Sequence, residues 1–145
     1  MAVALQIPSD WKPVHPTGVL LAAKRVAEDG AFTPNVIVRV ISRPAGFEVT
    51  DALSELKTYA ATKTRGVTSE PYQAVIGGRQ FVGCDLSWVD DKAGTVLQAH
   101  LFSAVPSGSS FQLVEVTGSV GGAQARRDYP EIKAVMKSLT VADPA

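Results

Sequence analysis

Between Val36 and Ile41, five of six residues are β-branched and apolar, and Arg39 is the exception. The run belongs to Phe32–Ser42, starts after Pro34-Asn35 and stops at Arg43-Pro44-Ala45-Gly46, so it predicts a central strand of a sheet. A strand apolar on both pleat faces needs packed cover on both sides. Arg39 then either lies under a helix with an acidic partner, Glu115 or Asp85, or marks a point where its face is open. Upstream, Val19–Ala27 has mixed helix and strand character. Its short length and the Glu28-Asp29-Gly30 turn after it favour a hairpin partner strand. Ala2–Ile7 predicts a short strand. Trp11, between Pro8 and Pro13, predicts an anchor for the N-terminal arm, with ligand stacking as the sharper alternative.

After Gly46 the period lengthens. Val49, Leu53, Leu56 and Ala60 recur at helical spacing, with Ala52 and Tyr59 widening the stripe. The pattern predicts a helix over Val49–Arg65, capped by Thr50 or Asp51 and closed by Gly66 in the left-handed position. From Tyr72 the pattern is a meander. Tyr72–Ile76 and Arg79–Val89 flank Gly77-Gly78, a pair suited to a tight hairpin turn. Asp90–Gly94, Thr95–Val105, Pro106–Ser109 and Phe111–Val116 then read as turn, strand, turn and strand, and Ser119–Gln124 as a loop. Asp128-Tyr-Pro-Glu131 has capping-box-like spacing ahead of the stripe Ile132, Val135, Met136 and Leu139. Val141 onward reads as a tail.

Strand alternation sorts faces. Val82, Cys84, Leu86 and Trp88 share one side of their strand, and Leu97, Ala99, Leu101 and Val105 one side of the next. Taken as one continuous apolar face, with two amphipathic helices, these predict an α+β single domain with a central antiparallel sheet of about six strands. The opposite sides would then gather Asp85, Ser87, Gln98, His100, Glu115 and Arg39 as a candidate interaction surface, with Trp11 beside it.

Composition narrows the function classes. The chain has 145 residues with 46% apolar and 19% charged positions, enough for a core without disulfides or metal. Fourteen basic residues balance fourteen acidic ones, so no global field favours nucleic acid or anionic membranes. Cys84 is the only cysteine, which excludes an intrachain disulfide and fits a reducing compartment. Met1-Ala-Val-Ala-Leu5 lacks a basic flank, and no apolar stretch is long enough to span a bilayer. The expectation is a cytoplasmic protein.

Catalytic chemistry needs convergent groups, and few are present. Two distant histidines, His15 and His100, and one cysteine lack the short repeated spacing of a metal site. Neither a metal nor another cofactor is expected. Ser87, His100 and Asp85 could meet on one sheet face, but no Gly-x-Ser-x-Gly elbow accompanies them. Gly77-Gly78 and Gly121-Gly122 lack phosphate-loop spacing, and Arg126-Arg127 fits helix solvation rather than a nucleic-acid motif.

The order of elements is informative beside these residues. A Pro8–Trp11 segment precedes a hairpin carrying Phe32-Thr-Pro-Asn-Val-Ile-Val-Arg-Val40, then a helix, a long meander and a closing helix ending Met136-Lys-Ser-Leu139. This resembles the PsbP-like α/β/α sandwich shared with the yeast Ran-release factor and DcrB-like proteins. The Pro-Asn-Val-x-Val segment is most similar to actinobacterial LpqN-type proteins. The resemblance implies a non-catalytic role through a protein partner, as an adaptor or chaperone for a secreted protein. It transfers no catalytic residue. LpqN-type lipoproteins carry a leader and a lipidated cysteine that have no counterpart here. The competing expectations are a small-molecule or lipid carrier with a cavity between sheet and helix, and a small hydrolase using the His100 face.

Overall fold

A computed structural model of the chain describes residues 2–26 and 32–142. Strands β1 (Ala2–Ala4), β2 (Trp11–Val14), β3 (Leu21–Arg25) and β4 (Asn35–Arg43) precede helix α1 (Val49–Ala61). Next come β5 (Val67–Thr68), β6 (Tyr72–Ile76), β7 (Arg79–Asp90), β8 (Gly94–Ser107) and β9 (Ser110–Gly121). A 3-10 turn at Gly122–Gln124 leads into α2 (Ala125–Lys137) and β10 (Thr140–Ala142). The α+β class and the large antiparallel sheet agree with the expectation, but the strands outnumber the six foreseen. Eight strands form one sheet in the order β2-β3-β4-β9-β8-β7-β5, with β6 also on β7, and β1 pairs with β10 separately.

β4 lies between β3 and β9, as its β-branched run requires. Its faces are unequal. Val36 and Val38 are fully buried toward α2, whereas Arg39 is exposed and Ile37 and Ile41 are half-buried on the other side. β3 is the expected hairpin partner; the Glu28-Asp29-Gly30 turn lies outside the described residues.

Turn chemistry sets the meander. Gly77 and Gly78 take φ of 58° and 77°, the left-handed values that a two-residue hairpin turn between Ile76 and Arg79 demands. At the next turn the Asp90 carboxylate accepts from the backbone N–H groups of Lys92 and Ala93 at 3.0 and 2.8 Å. That turn pairs Asp90 with Gly94, and hence Cys84 with His100 and Leu86 with Gln98. Paired residues share a face, so Cys84, Leu86 and Trp88 lie on the opposite side of the sheet from Leu97, Ala99 and Leu101. The single apolar face expected from the sequence is therefore two apolar faces, one under each helix.

α2 covers the face of Val36, Val38, Val114, Val116 and Val120, with Ile132, Met136 and Leu139 packed into it. Gly118 permits this approach, because a Cβ there would overlap the Met136 Sδ and Ile132 Cδ1 atoms. Trp11 belongs to this core at 5% exposure and donates its indole N–H to Glu131 Oε1 at 2.8 Å. α1 places Ala52, Leu56 and Ala60 against Cys84, Leu86, Trp88, Phe102 and Leu113.

Helix ends differ from the expectation in instructive ways. Glu48 caps α1 in a reciprocal box with Asp51, whose carboxylate accepts from the Glu48 backbone N–H at 2.9 Å, so the helix starts before Thr50. It ends at Ala61, and Arg65, not Gly66, takes the positive φ of 54°. Gly66 matters for space instead, since a Cβ would collide with the Ala60 carbonyl. Asp128 sits inside α2, which starts at Ala125, and its carboxylate accepts from both Arg25 Nη atoms at 2.9 and 3.1 Å. The foreseen loop Ser119–Gln124 begins as the last residues of β9, and the foreseen tail from Val141 begins inside β10.

Candidate functional site

α1 covers only part of its face. The remainder, on β4, β9 and β8, is the floor of an open cleft of about 420 Å³. Register brings its residues together: Arg39 opposes Glu115 on β9, Thr117 opposes His100 and Ser119 opposes Gln98. Glu115, Thr117 and Ser119 alternate along β9 with the buried valines of the α2 face, which is how one strand serves both a core and a cleft.

The floor is a continuous polar row. Gln98 Nε2 donates to Ser119 Oγ at 2.9 Å, and Gln98 Oε1 lies 2.8 Å from His100 Nε2. His100 Nδ1 lies 3.4 Å from Thr117 Oγ1, and the imidazole stacks on Phe102 with centroids 6.2 Å apart. With Nε2 protonated and donating to the amide, Nδ1 is left to accept from the hydroxyl, the arrangement of a neutral imidazole. Burial pushes the His100 pKa down to about 4, against a weak opposing pull from Asp85. Burial also raises the Glu115 carboxyl, partly offset by Arg39 and Arg43.

The mouth carries charge. Arg43 Nη2 donates to Glu55 Oε1 at 2.9 Å, tying β4 to α1, and its guanidinium lies 4.4 Å from the Phe47 ring centroid. The Arg43 Nε is buried without an acceptor among the described residues. Tyr59 completes the helical wall.

Of the seven candidate surface residues, the cleft contains Arg39, Gln98, His100 and Glu115. Trp11 is in the α2 core instead. Asp85 and Ser87 face the α2 side, because the Asp90–Gly94 turn pairs them with Ala99 and Leu97. The sheet therefore separates Ser87 and Asp85 from His100, and the imagined nucleophilic set does not assemble. Cys84 is 4% exposed beneath α1 and burial raises its thiol pKa, as befits a core residue. Sequence reasoning missed Thr117, Ser119, Arg43 and Glu55. The first two had a signal in the period-two polar positions Glu115, Thr117 and Ser119. Among the described residues, no three His, Cys, Asp or Glu side chains cluster as metal ligands, and no helix is long and apolar enough to cross a membrane.

No family model and no curated protein sequence matches the chain. Solved structures do. LpqN of Mycobacterium tuberculosis, described as involved in cell envelope biogenesis, superposes with a TM-score of 0.75 at 11% identity over 97% of this chain and 83% of that one. The fold is PsbP-like. Cyanobacterial PsbP from Synechocystis sp. PCC 6803 matches with a TM-score of 0.58 at 14% identity, covering 97% of this chain and 86% of that one. PA94 from Pseudomonas aeruginosa, a protein of unknown function, matches at 0.57 and 12% identity, covering 94% of this chain and 100% of the other. At these identities the likeness carries the PsbP-like architecture, which LpqN shares, and no site residue.

Proposed function

We propose that this chain is a non-catalytic binding domain that holds a small polar molecule in the cleft between α1 and the sheet. The observation that carries this reading is the hydrogen-bonded row Gln98–His100–Thr117–Ser119 at the base of a cleft of about 420 Å³. That volume falls in the ordinary range for small-molecule sites, about 300–1,000 Å³. The row offers amide and hydroxyl groups to a ligand, with His100 holding Gln98 and Thr117 in place, while Ile37, Leu56 and Phe102 supply apolar walls. His100 is engaged at both ring nitrogens and oriented by an amide instead of a carboxylate, which suits recognition better than proton abstraction. LpqN, the similar fold from Mycobacterium tuberculosis, has a described involvement in cell envelope biogenesis, with which a carrier role is compatible. Native mass spectrometry of freshly purified protein tests the reading. A retained small-molecule mass, lost on His100→Leu, is expected; a uniformly ligand-free mass together with an empty solvent extract would overturn it.

A second reading is an adaptor for a protein partner, favoured by β6. Among the described residues this strand pairs with β7 alone, and it exposes Val75 at 68% on the outer edge of the sheet. A pull-down with wild type and Val75→Lys separates the two: loss of a specific partner with the variant supports the adaptor, and identical recovery argues against it.

A further inference from the structure

The α2 face, where the register puts Asp85, carries a second cavity of about 320 Å³ lined by Tyr72, Ala74, Asp85, Leu101, Lys133 and Met136 among others. Its polar end is a single constellation. Tyr72 Oη donates to Asp85 Oδ1 at 2.9 Å, and Lys133 Nζ lies 3.3 Å from Asp85 Oδ2. The same ammonium lies 5.2 Å from the Tyr72 ring centroid and 5.1 Å from that of Tyr129. Two electron-rich rings and a carboxylate around one ammonium make an aromatic cage.

Each wall is held by something other than Lys133. The Tyr72 ring lies across Gly83, its cross-strand partner, where a Cβ would overlap the ring. Tyr129 Oη donates to the Gln98 carbonyl at 3.3 Å. Asp85 is fixed through its backbone N–H, which donates to Ser69 Oγ at 2.9 Å, and through the Tyr72 hydroxyl. Burial raises both phenols above their ordinary range, so the rings stay neutral. Lys133, by contrast, reaches in on a flexible four-carbon stem from one turn beyond Tyr129 on α2. Its side chain is 31% exposed, so it has room to withdraw.

We propose that Tyr72, Tyr129 and Asp85 form a binding site for an organic ammonium group, with Lys133 as a tethered occupant that an incoming ligand displaces. The site is independent of the α1 cleft, on the other side of the sheet. Calorimetric titration with choline and with its neutral isostere 3,3-dimethylbutan-1-ol tests it. Lys133→Gln removes the competitor, and choline is expected to bind this variant at least tenfold more tightly than wild type. Adding Asp85→Asn or Tyr129→Leu is expected to abolish that gain, and the neutral alcohol to gain nothing. An unchanged choline affinity in Lys133→Gln, or an equal gain for the alcohol, overturns the proposal. Should that variant fail to fold by circular dichroism, wild type answers alone: choline shifts the Tyr72 and Tyr129 ring resonances and the alcohol does not. Absence of those shifts then overturns it. Sedimentation with phosphatidylcholine but not phosphatidylglycerol vesicles would assign the group to a lipid headgroup; choline binding without sedimentation would assign it to a free ligand.

Discussion

The two faces of the large sheet carry equally regular strands and opposite chemistry. On the α2 face, valines from β4 and β9 meet Ile132, Met136 and Leu139 at close to zero exposure. On the α1 face, the same two strands present Ile37, Arg39, Glu115 and Thr117 to an open cleft. The difference comes from where each helix crosses. Gly118 lets α2 settle over the sheet's middle, whereas α1 packs over Cys84, Leu86, Trp88, Phe102 and Leu113 toward one side. One face is committed to stability and the other lines an open cleft with polar groups, the usual division between scaffold and site.

Breaking the closed face should have the largest effect. Ile132→Ala empties a fully buried site among valines that cannot collapse, and should cost about 4 kcal/mol in a urea titration. The open face should show itself through pH. A histidine whose folded pKa is about 4 binds fewer protons than the unfolded chain between its ordinary value near 6.5 and that pH. Stability should therefore fall as the pH drops through this window, by about 2–3 kcal/mol from this group. The raised Glu115 acts with the opposite sign, gaining stability on acidification. His100→Gln should flatten the His100 contribution and leave the Glu115 one, and an unchanged pH profile would contradict the buried neutral imidazole. Leu56→Ala, at 6% exposure beside the cleft, should cost about 2 kcal/mol, less than Ile132→Ala because water and α1 can adjust. Asp128→Asn should have the smallest effect, about 1.5 kcal/mol in thermal unfolding, because it keeps one hydrogen bond to Arg25 while losing the charge. Because Arg25 holds the Asp128 pKa below its ordinary value, the pair's contribution in wild type is present at neutral pH. It should be lost as the pH falls through the carboxyl's folded pKa.

The strands of the meander were legible because Gly77-Gly78 and Asp90–Gly94 are turn chemistry in plain view. Which face each strand showed was not. Alternation within β7 and within β8 is clear, but it does not say which side of the sheet each apolar row takes, so Cys84 and Leu101 read as neighbours on one face. Only the count of residues in the Asp90–Gly94 turn decides which of them meet. That ambiguity cost Asp85 and Ser87 their expected company with His100. Asp128 read as a cap because its partner, Arg25, lies 103 residues away and leaves no local trace. β10 was invisible for the same reason: three residues become a strand through β1, at the other end of the chain.

That terminal pairing has a mechanical consequence. Ala2 lies beside Ala142 and Ala4 beside Thr140, so a pull on the two ends loads the outermost rung first and then each next one. The small sheet would open as a zipper at low force. Tension would then reach α2 and the edge strand β2, whose Trp11–Glu131 bond would resist before the long strands felt any load.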